Sequence, residues 1–219
     1  MLSKKMAKRF CLPLEAVALV LCAGTSFADE LLWQGGVSPT WNTSDLNWLS
    51  GGSPAAFTSG ANVRFDDSTA VTNVTLAETV SAGSVVFSNT APYLLAGGRL
   101  GAAASFIKSG AGSLRISNTN HTFTSDIVIE GGELISDAYN DAVNATYGTL
   151  GNPRVARTIA VTNGAALTLK NYGTFGAGTS TSRILTTLNI AGGTLNMPAD
   201  CGNIVGPVIF DNAKLTYSG

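Results

Sequence analysis

Lys108-Ser109-Gly110-Ala111-Gly112-Ser113-Leu114-Arg115-Ile116-Ser117 decides how this chain folds. Gly110 and Gly112 allow a sharp bend, because glycine reaches positive φ without a Cβ clash. Leu114 and Ile116 then flank Arg115, so the two apolar side chains share one face of a short strand. The same pairing recurs at Val63 and Phe65, Val74 and Leu76, Leu167 and Leu169, Leu188 and Ile190, and Leu195 and Met197. Turn signals separate these runs at Gly97-Gly98, Gly110-Ala111-Gly112, Gly131-Gly132, Asn163-Gly164 and Gly192-Gly193, and a leucine follows each turn: Leu100, Leu114, Leu134, Leu167, Leu195.

This is a degenerate Gly-Gly-x-Leu repeat, with leucines spaced 14, 20, 33 and 28 residues apart. Stacked coils tolerate such irregularity when extra residues are accommodated at their turns. Two insertions stand out, Ser136 to Arg157, rich in Asp, Asn, Ala and Tyr, and Asn171 to Ser182, rich in Gly, Thr and Ser, and both read as loops. No stretch after residue 28 keeps a helical period, and the density of glycine and threonine opposes helix. A β-sandwich also gives short strands and frequent turns. The recurrence of similar units, with low charge and many small residues, favours an all-β parallel β-helix, a β-solenoid.

The N-terminus sets the compartment. Lys4, Lys5, Lys8 and Arg9 precede an apolar stretch from Phe10 to Gly24, and Ser26-Phe27-Ala28 completes the pattern of an export signal cleaved before Asp29. The stretch is short, and interrupted by Pro13 and Glu15, for a bilayer span of about 20 residues. A lipoprotein signal would use Cys22, but Leu21 precedes it where processing needs a small residue. The expected organisation is a signal peptide over 1–28, a tryptophan-rich cap over 29–62 and solenoid repeats over 63–219.

Cleavage removes four of 13 basic and one of 14 acidic residues. The remainder is mildly acidic and lacks the clustered basic residues that nucleic acid requires. Of three cysteines only Cys201 remains, so no intrachain disulfide forms, and Cys201 reads as a small buried apolar residue.

Candidate sites are few. A Ser-His-Asp hydrolase needs a histidine, and the single one, His121, sits inside the repeat linker, where its side chain is expected to fill a turn. One histidine and one cysteine cannot close a zinc site. Asp66-Asp67 beside Arg64 is the densest carboxylate group, with Asp137 and Asp141 second. Adjacent strand residues point to opposite faces, so Asp66-Asp67 reads as a solvated turn unless a bend intervenes. The spaced Gly-Gly-x-Gly-x-Asp series of calcium-binding β-rolls is absent. Gly110-Ala111-Gly112 and Gly176-Ala177-Gly178 lack the Gly-Lys-Ser or Gly-Lys-Thr of a phosphate loop and read as turns. Trp33, Trp41 and Trp48 either cover the first coil or stack on sugar rings. No catalytic, cofactor-binding or metal residue is assigned, and no ligand-binding residue is identified.

The run from Lys108 to Ser117, with Asn118-Thr119-Asn120-His121-Thr122-Phe123-Thr124, Ile127-Val128-Ile129, Gly131-Gly132-Glu133-Leu134 and Leu150-Gly151, resembles the autotransporter-associated β-strand repeat. Phe123 stands where tyrosine is usual, and Ser125-Asp126 where glycine is usual. Trp33-Gln34-Gly35-Gly36 and the segment Trp41 to Trp48 also look like the start of many bacterial proteins carrying this repeat. The resemblance implies a right-handed parallel β-helix on the bacterial surface or outside the cell, and it implies no catalytic residues.

In such a coil Leu114, Ile116, Ile127, Ile129 and Leu134 point inward, each contributing about 1.5–3 kcal/mol when fully buried. Asn118 and Asn120 bond neighbouring backbone at a turn or stack as a ladder between coils. The expected function is a non-enzymatic structural or adhesive surface protein without cofactors, exported from a Gram-negative cell, with surface glycans or proteins as partners. The alternative is a carbohydrate-binding or polysaccharide-cleaving β-helix. The sequence is still strand-like at Leu215-Thr216-Tyr217-Ser218-Gly219, which suits end-to-end association or continuation into a longer passenger.

Overall fold

The computed structural model describes residues 30–101, 103–138, 147–171, 174–175, 184–198 and 206–218. The signal segment 1–28, Asp141, Gly176-Ala177-Gly178 and Cys201 lie outside them. The described residues are all-β, in two sheets of 10 and 8 strands.

Strands are numbered along the chain. The larger sheet holds β1 (Leu31–Trp33), β3 (Trp48–Ser50), β4 (Ser53–Ala55), β5 (Val63–Phe65), β7 (Ser84–Ser88), β9 (Ser105–Ser109), β11 (Ile127–Ile129), β13 (Arg157–Thr162), β15 (Thr186–Ala191) and β17 (Val208–Asp211). The smaller holds β2 (Thr40–Trp41), β6 (Asn73–Val80), β8 (Tyr93–Leu100), β10 (Ser113–Ile116), β12 (Glu133–Ser136), β14 (Ala166–Leu169), β16 (Thr194–Pro198) and β18 (Lys214–Ser218). From β5 onward the chain alternates between sheets, and each strand pairs in parallel with the strand two further on. This is a solenoid-like stack in which every coil contributes one strand to each sheet.

Register gives the coil length. Val63, Val85, Phe106, Ile127, Ile159, Leu188 and Val208 are successive partners along one row, at offsets of 22, 21, 21, 32, 29 and 20 residues. A coil therefore takes 20–22 residues, and the two long offsets contain the two insertions read from the sequence. One member of the glycine-leucine series is out of phase. Leu114 lies beside Tyr93, not Leu100, and Gly97-Gly98 lie inside β8 rather than in the turn before a strand. There the ladder between β6 and β8 slips between Leu76 and Thr79, Gly97 has φ +86°, and a Cβ on it would approach the Leu76 carbonyl to 2.5 Å. A β-bulge, which needs this backbone freedom, imitates the turn signal.

Period-2 alternation sets the core. Leu114, Ile116, Ile127, Ile129 and Leu134 are at most 1% exposed, and their equivalents in other coils line the same interior. Phe65 stacks on Phe87 at 4.3 Å between ring centroids, and Phe87, Phe106 and Phe123 continue the column at 6.1 and 5.7 Å. Lys108 occupies the inward position between Phe87 and Ile129 in this row. It is fully buried, and its Nζ donates to the carbonyls of Ser109, Gly110 and Gly131 at 2.5, 3.0 and 3.3 Å, tying two successive glycine turns together. Burial pushes the ammonium pKa down to about 8, against the pull of Asp67.

At the N-terminal end β1 pairs with β5 in parallel and with β3 antiparallel, and β4 closes that edge with Pro54. Proline withholds a donor from the exposed edge and so discourages further pairing. Trp33, Trp41 and Trp48 are fully buried, packed edge-on at 5.0–5.2 Å and against Phe57 and Phe65. At the other end the inward-row residues Val208, Phe210, Leu215 and Tyr217 are 36–67% exposed, because no described coil lies over them.

Candidate functional site

At one corner of each coil the chain leaves the smaller sheet and turns toward the larger. Three consecutive coils line an open groove of about 420 Å³ there, with Gly97–Arg99 from the bulged end of β8 and Ser117–Asn120 and Asp137–Ala138 from the corners after β10 and β12. The bulge shapes its first wall, since Gly97 and Gly98 carry no side chains to fill it.

The second wall is sewn onto the first. Asn118 Nδ2 donates to the Gly97 carbonyl at 3.1 Å and also to that of Gly98. The Leu100 amide donates to His121 Nδ1 at 2.8 Å, and Thr122 Oγ1 donates to the Gly101 carbonyl at 2.9 Å. Asn118 thus bonds neighbouring backbone, whereas Asn120 takes a left-handed conformation at φ +66° and turns the chain. Asparagine tolerates that region better than most residues. Burial, with nearby Arg99 adding to it and an Asn118 backbone contact opposing it, pushes the His121 pKa down to about 4. His121 is therefore a neutral, buried acceptor and a structural part of the corner.

Asp137 forms the third wall. Its carboxylate pairs with Arg115 at 2.5 Å and Lys170 at 3.0 Å, and Asn171 Nδ2 donates to it at 2.5 Å. These partners come from the coils on either side, so Asp137 is a cross-coil clamp. Arg99 is exposed and makes no ion pair among the described residues. The charged lining residues are thus Asp137, held by Arg115 and Lys170, and Arg99, and the lining adds serine, threonine and asparagine groups able to donate and accept hydrogen bonds.

Both insertions leave the coil at this same corner. The first follows Asp137 and the second follows Lys170. Described residues of the two join through Thr149 N–H donating to the Thr174 carbonyl at 3.0 Å, and Ser136 Oγ meets Thr174 Oγ1 at 3.0 Å. Arg157 anchors the return of the first insertion: its guanidinium donates to the carbonyls of Ser125 and Leu150 and to Thr186 Oγ1, and lies 5.4 Å from the Phe123 ring centre. Burial pushes its pKa down to about 10, with Asp126 opposing. Repeat proteins commonly place insertions on the face they use for binding.

The other candidates are structural. Asp67 accepts from the Thr90 and Ala91 amides at 2.9 Å and from Thr90 Oγ1 at 2.8 Å, and these bonds hold its pKa below the ordinary carboxylate value. Asp66 accepts from the Ser68 amide at 2.9 Å and pairs with Arg64 at 3.7 Å, and its backbone carbonyl accepts from Tyr93 Oη at 2.6 Å. The two carboxylates therefore serve separate turns. The buried tryptophans expose no ring face to a sugar. Among the described residues no three His, Cys, Asp or Glu side chains converge as metal ligands.

Sequence reasoning placed Asp137 among the carboxylates and Asn118 at a turn but passed over Arg99, Ser117 and Thr119. The signal available was their spacing: residues 98, 118 and 138 recur at the coil length, which becomes readable only after Gly97-Gly98 is recognised as a bulge. Comparison with protein-family models, with curated proteins and with solved structures found no match.

Proposed function

We propose that this chain is an exported, non-enzymatic surface protein of the autotransporter passenger type, a right-handed parallel β-helix that displays a binding corner on a stiff stem. The observation that carries this reading is the convergence of both insertions and the groove on one corner, while the buried and clamped charges hold coil to coil. Asp67, Asp137, Lys108 and Arg157 are engaged in bonds between turns, which suits a stem that gains rigidity from backbone and side-chain pairing without disulfides.

Such a stem presents loops at a fixed distance from its base. The export pattern over residues 1–28 and the glycine-leucine repeat support a surface location. Shortening the Ser136–Arg157 insertion to the uninserted coil length should reduce attachment of cells that produce the protein, while protease accessibility on intact cells stays unchanged. Unchanged attachment with the protein absent or shortened would count against the reading.

A second reading, a carbohydrate-binding or polysaccharide-cleaving β-helix, is favoured by the polar, hydroxyl-lined groove. Incubating the purified protein with acidic and neutral glycans tests it: product release supports cleavage, binding without products supports a carbohydrate-binding role, and neither binding nor products removes this second reading.

A further inference from the structure

We infer that the corner groove binds an anionic saccharide, with Arg99 holding the carboxylate or sulfate of a hydroxyl-rich ring; this rests on reading that corner as the binding face. The groove is the size of a small-ligand site, for which about 300–1,000 Å³ is usual. Its described lining is polar and carries no aromatic ring. The three tryptophans that could have offered stacking platforms are inside the first coil. Among the described residues ring stacking on a neutral sugar has no platform, and the group offered instead is an ionic anchor.

The anchor is Arg99. It projects from the bulged half of β8, where Gly97 and Gly98 leave its surroundings open, and no described carboxylate satisfies it. A guanidinium presents paired donors that match a carboxylate or sulfate oxygen pair. Asp137 does not cancel this charge, because Arg115 and Lys170 already neutralise it from the adjacent coils. Ser117, Thr119 and Asn120 lie along the opposite wall as partners for ring hydroxyls. An anionic sugar matches both halves of this lining, whereas a neutral sugar leaves the arginine unanswered.

The test is calorimetric titration of the protein with three probes: an oligogalacturonate, a sulfated oligosaccharide of similar length and a neutral galactan. At least one anionic probe should bind, identifying carboxylate or sulfate as the source, and binding should weaken severalfold as salt rises from about 0.05 to about 0.5 M. Arg99→Gln should weaken it at least about tenfold, the scale of one lost charge-assisted contact. Arg64→Gln, on the other sheet, should leave binding unchanged, and equal melting temperatures show that both variants fold. Neutral and anionic probes binding equally, Arg99→Gln binding like the parent, or no anionic probe binding would each overturn the inference. Loss of cell attachment on shortening the insertion, together with no saccharide binding, would leave the display reading standing and remove this one alone.

Discussion

Mild acidification should weaken this fold through His121. His121 is the only histidine in the sequence, is buried and accepts the Leu100 amide proton on Nδ1 at 2.8 Å. Its folded pKa of about 4 lies below the value of about 6.5 expected in the unfolded chain. Between those values the unfolded chain binds more protons, so stability rises with pH through the window and is lost as pH falls from about 6.5 toward about 4. Going from pH 7 to pH 4.5, the two pKa values give a loss of about 2–3 kcal/mol. That corresponds to about 1 M in urea midpoint for a domain of this size.

The assay is urea unfolding at both pH values for the parent and for His121→Asn, which keeps an acceptor near Leu100 but does not titrate. The variant should be less stable at pH 7, because asparagine fills less of the site, yet it should lose about 2–3 kcal/mol less on acidification. The lone imidazole also gives one resolvable NMR titration. A midpoint near 6.5, or equal acid sensitivity of parent and variant, would refute the reasoning.

Removing the Phe87 ring, which is fully buried and stacked on Phe65, should cost about 3–5 kcal/mol in Phe87→Ala, read as the change in unfolding free energy. Gly132→Ala should destabilise more than Gly164→Ala: both glycines have positive φ, but a Cβ on Gly132 would collide with the Gly112 and Gly110 carbonyls, while one on Gly164 meets open space. Comparing the two melting temperatures checks this, with the Gly164 change at about 1 kcal/mol from backbone strain alone. Asp67→Asn should lower the melting temperature near neutral pH. Because the folded pKa of Asp67 is depressed, its contribution should disappear as pH falls through that folded value, and parent and variant should converge there.

Much of the fold was legible because inward-facing pairs such as Leu114 and Ile116 obey a strict alternation that burial enforces. The coil length was not. Gly97-Gly98 carries the composition of a turn but the geometry of a bulge, and only the ladder shows that Tyr93 is the true neighbour of Leu114. Lys108 was hidden for a related reason. A lysine reads as a surface residue, yet its ammonium reaches three turn carbonyls that become neighbours only when coils stack. The tryptophans were legible as aromatic mass at the first coil, but whether they faced sugar or each other depended on the β3–β4 pairing across the edge. The groove was illegible because its lining is assembled from three successive coils.

The coil architecture can be tested most directly with pairs of spin labels on the outer surface of the larger sheet. Parallel pairing places Ser84 beside Ser105 and Ser88 beside Ser109. With Cys11, Cys22 and Cys201 changed to serine, the double variants Ser84→Cys/Ser105→Cys and Ser88→Cys/Ser109→Cys should both show strong dipolar broadening, their strands being about 4.8 Å apart. The crossed pairs Ser84/Ser109 and Ser88/Ser105 should show far weaker coupling, since about four residues of strand rise, roughly 13 Å, then separate the labels. Strong coupling in the crossed pairs and weak coupling in the direct ones would mean antiparallel hairpins, and would contradict the coil.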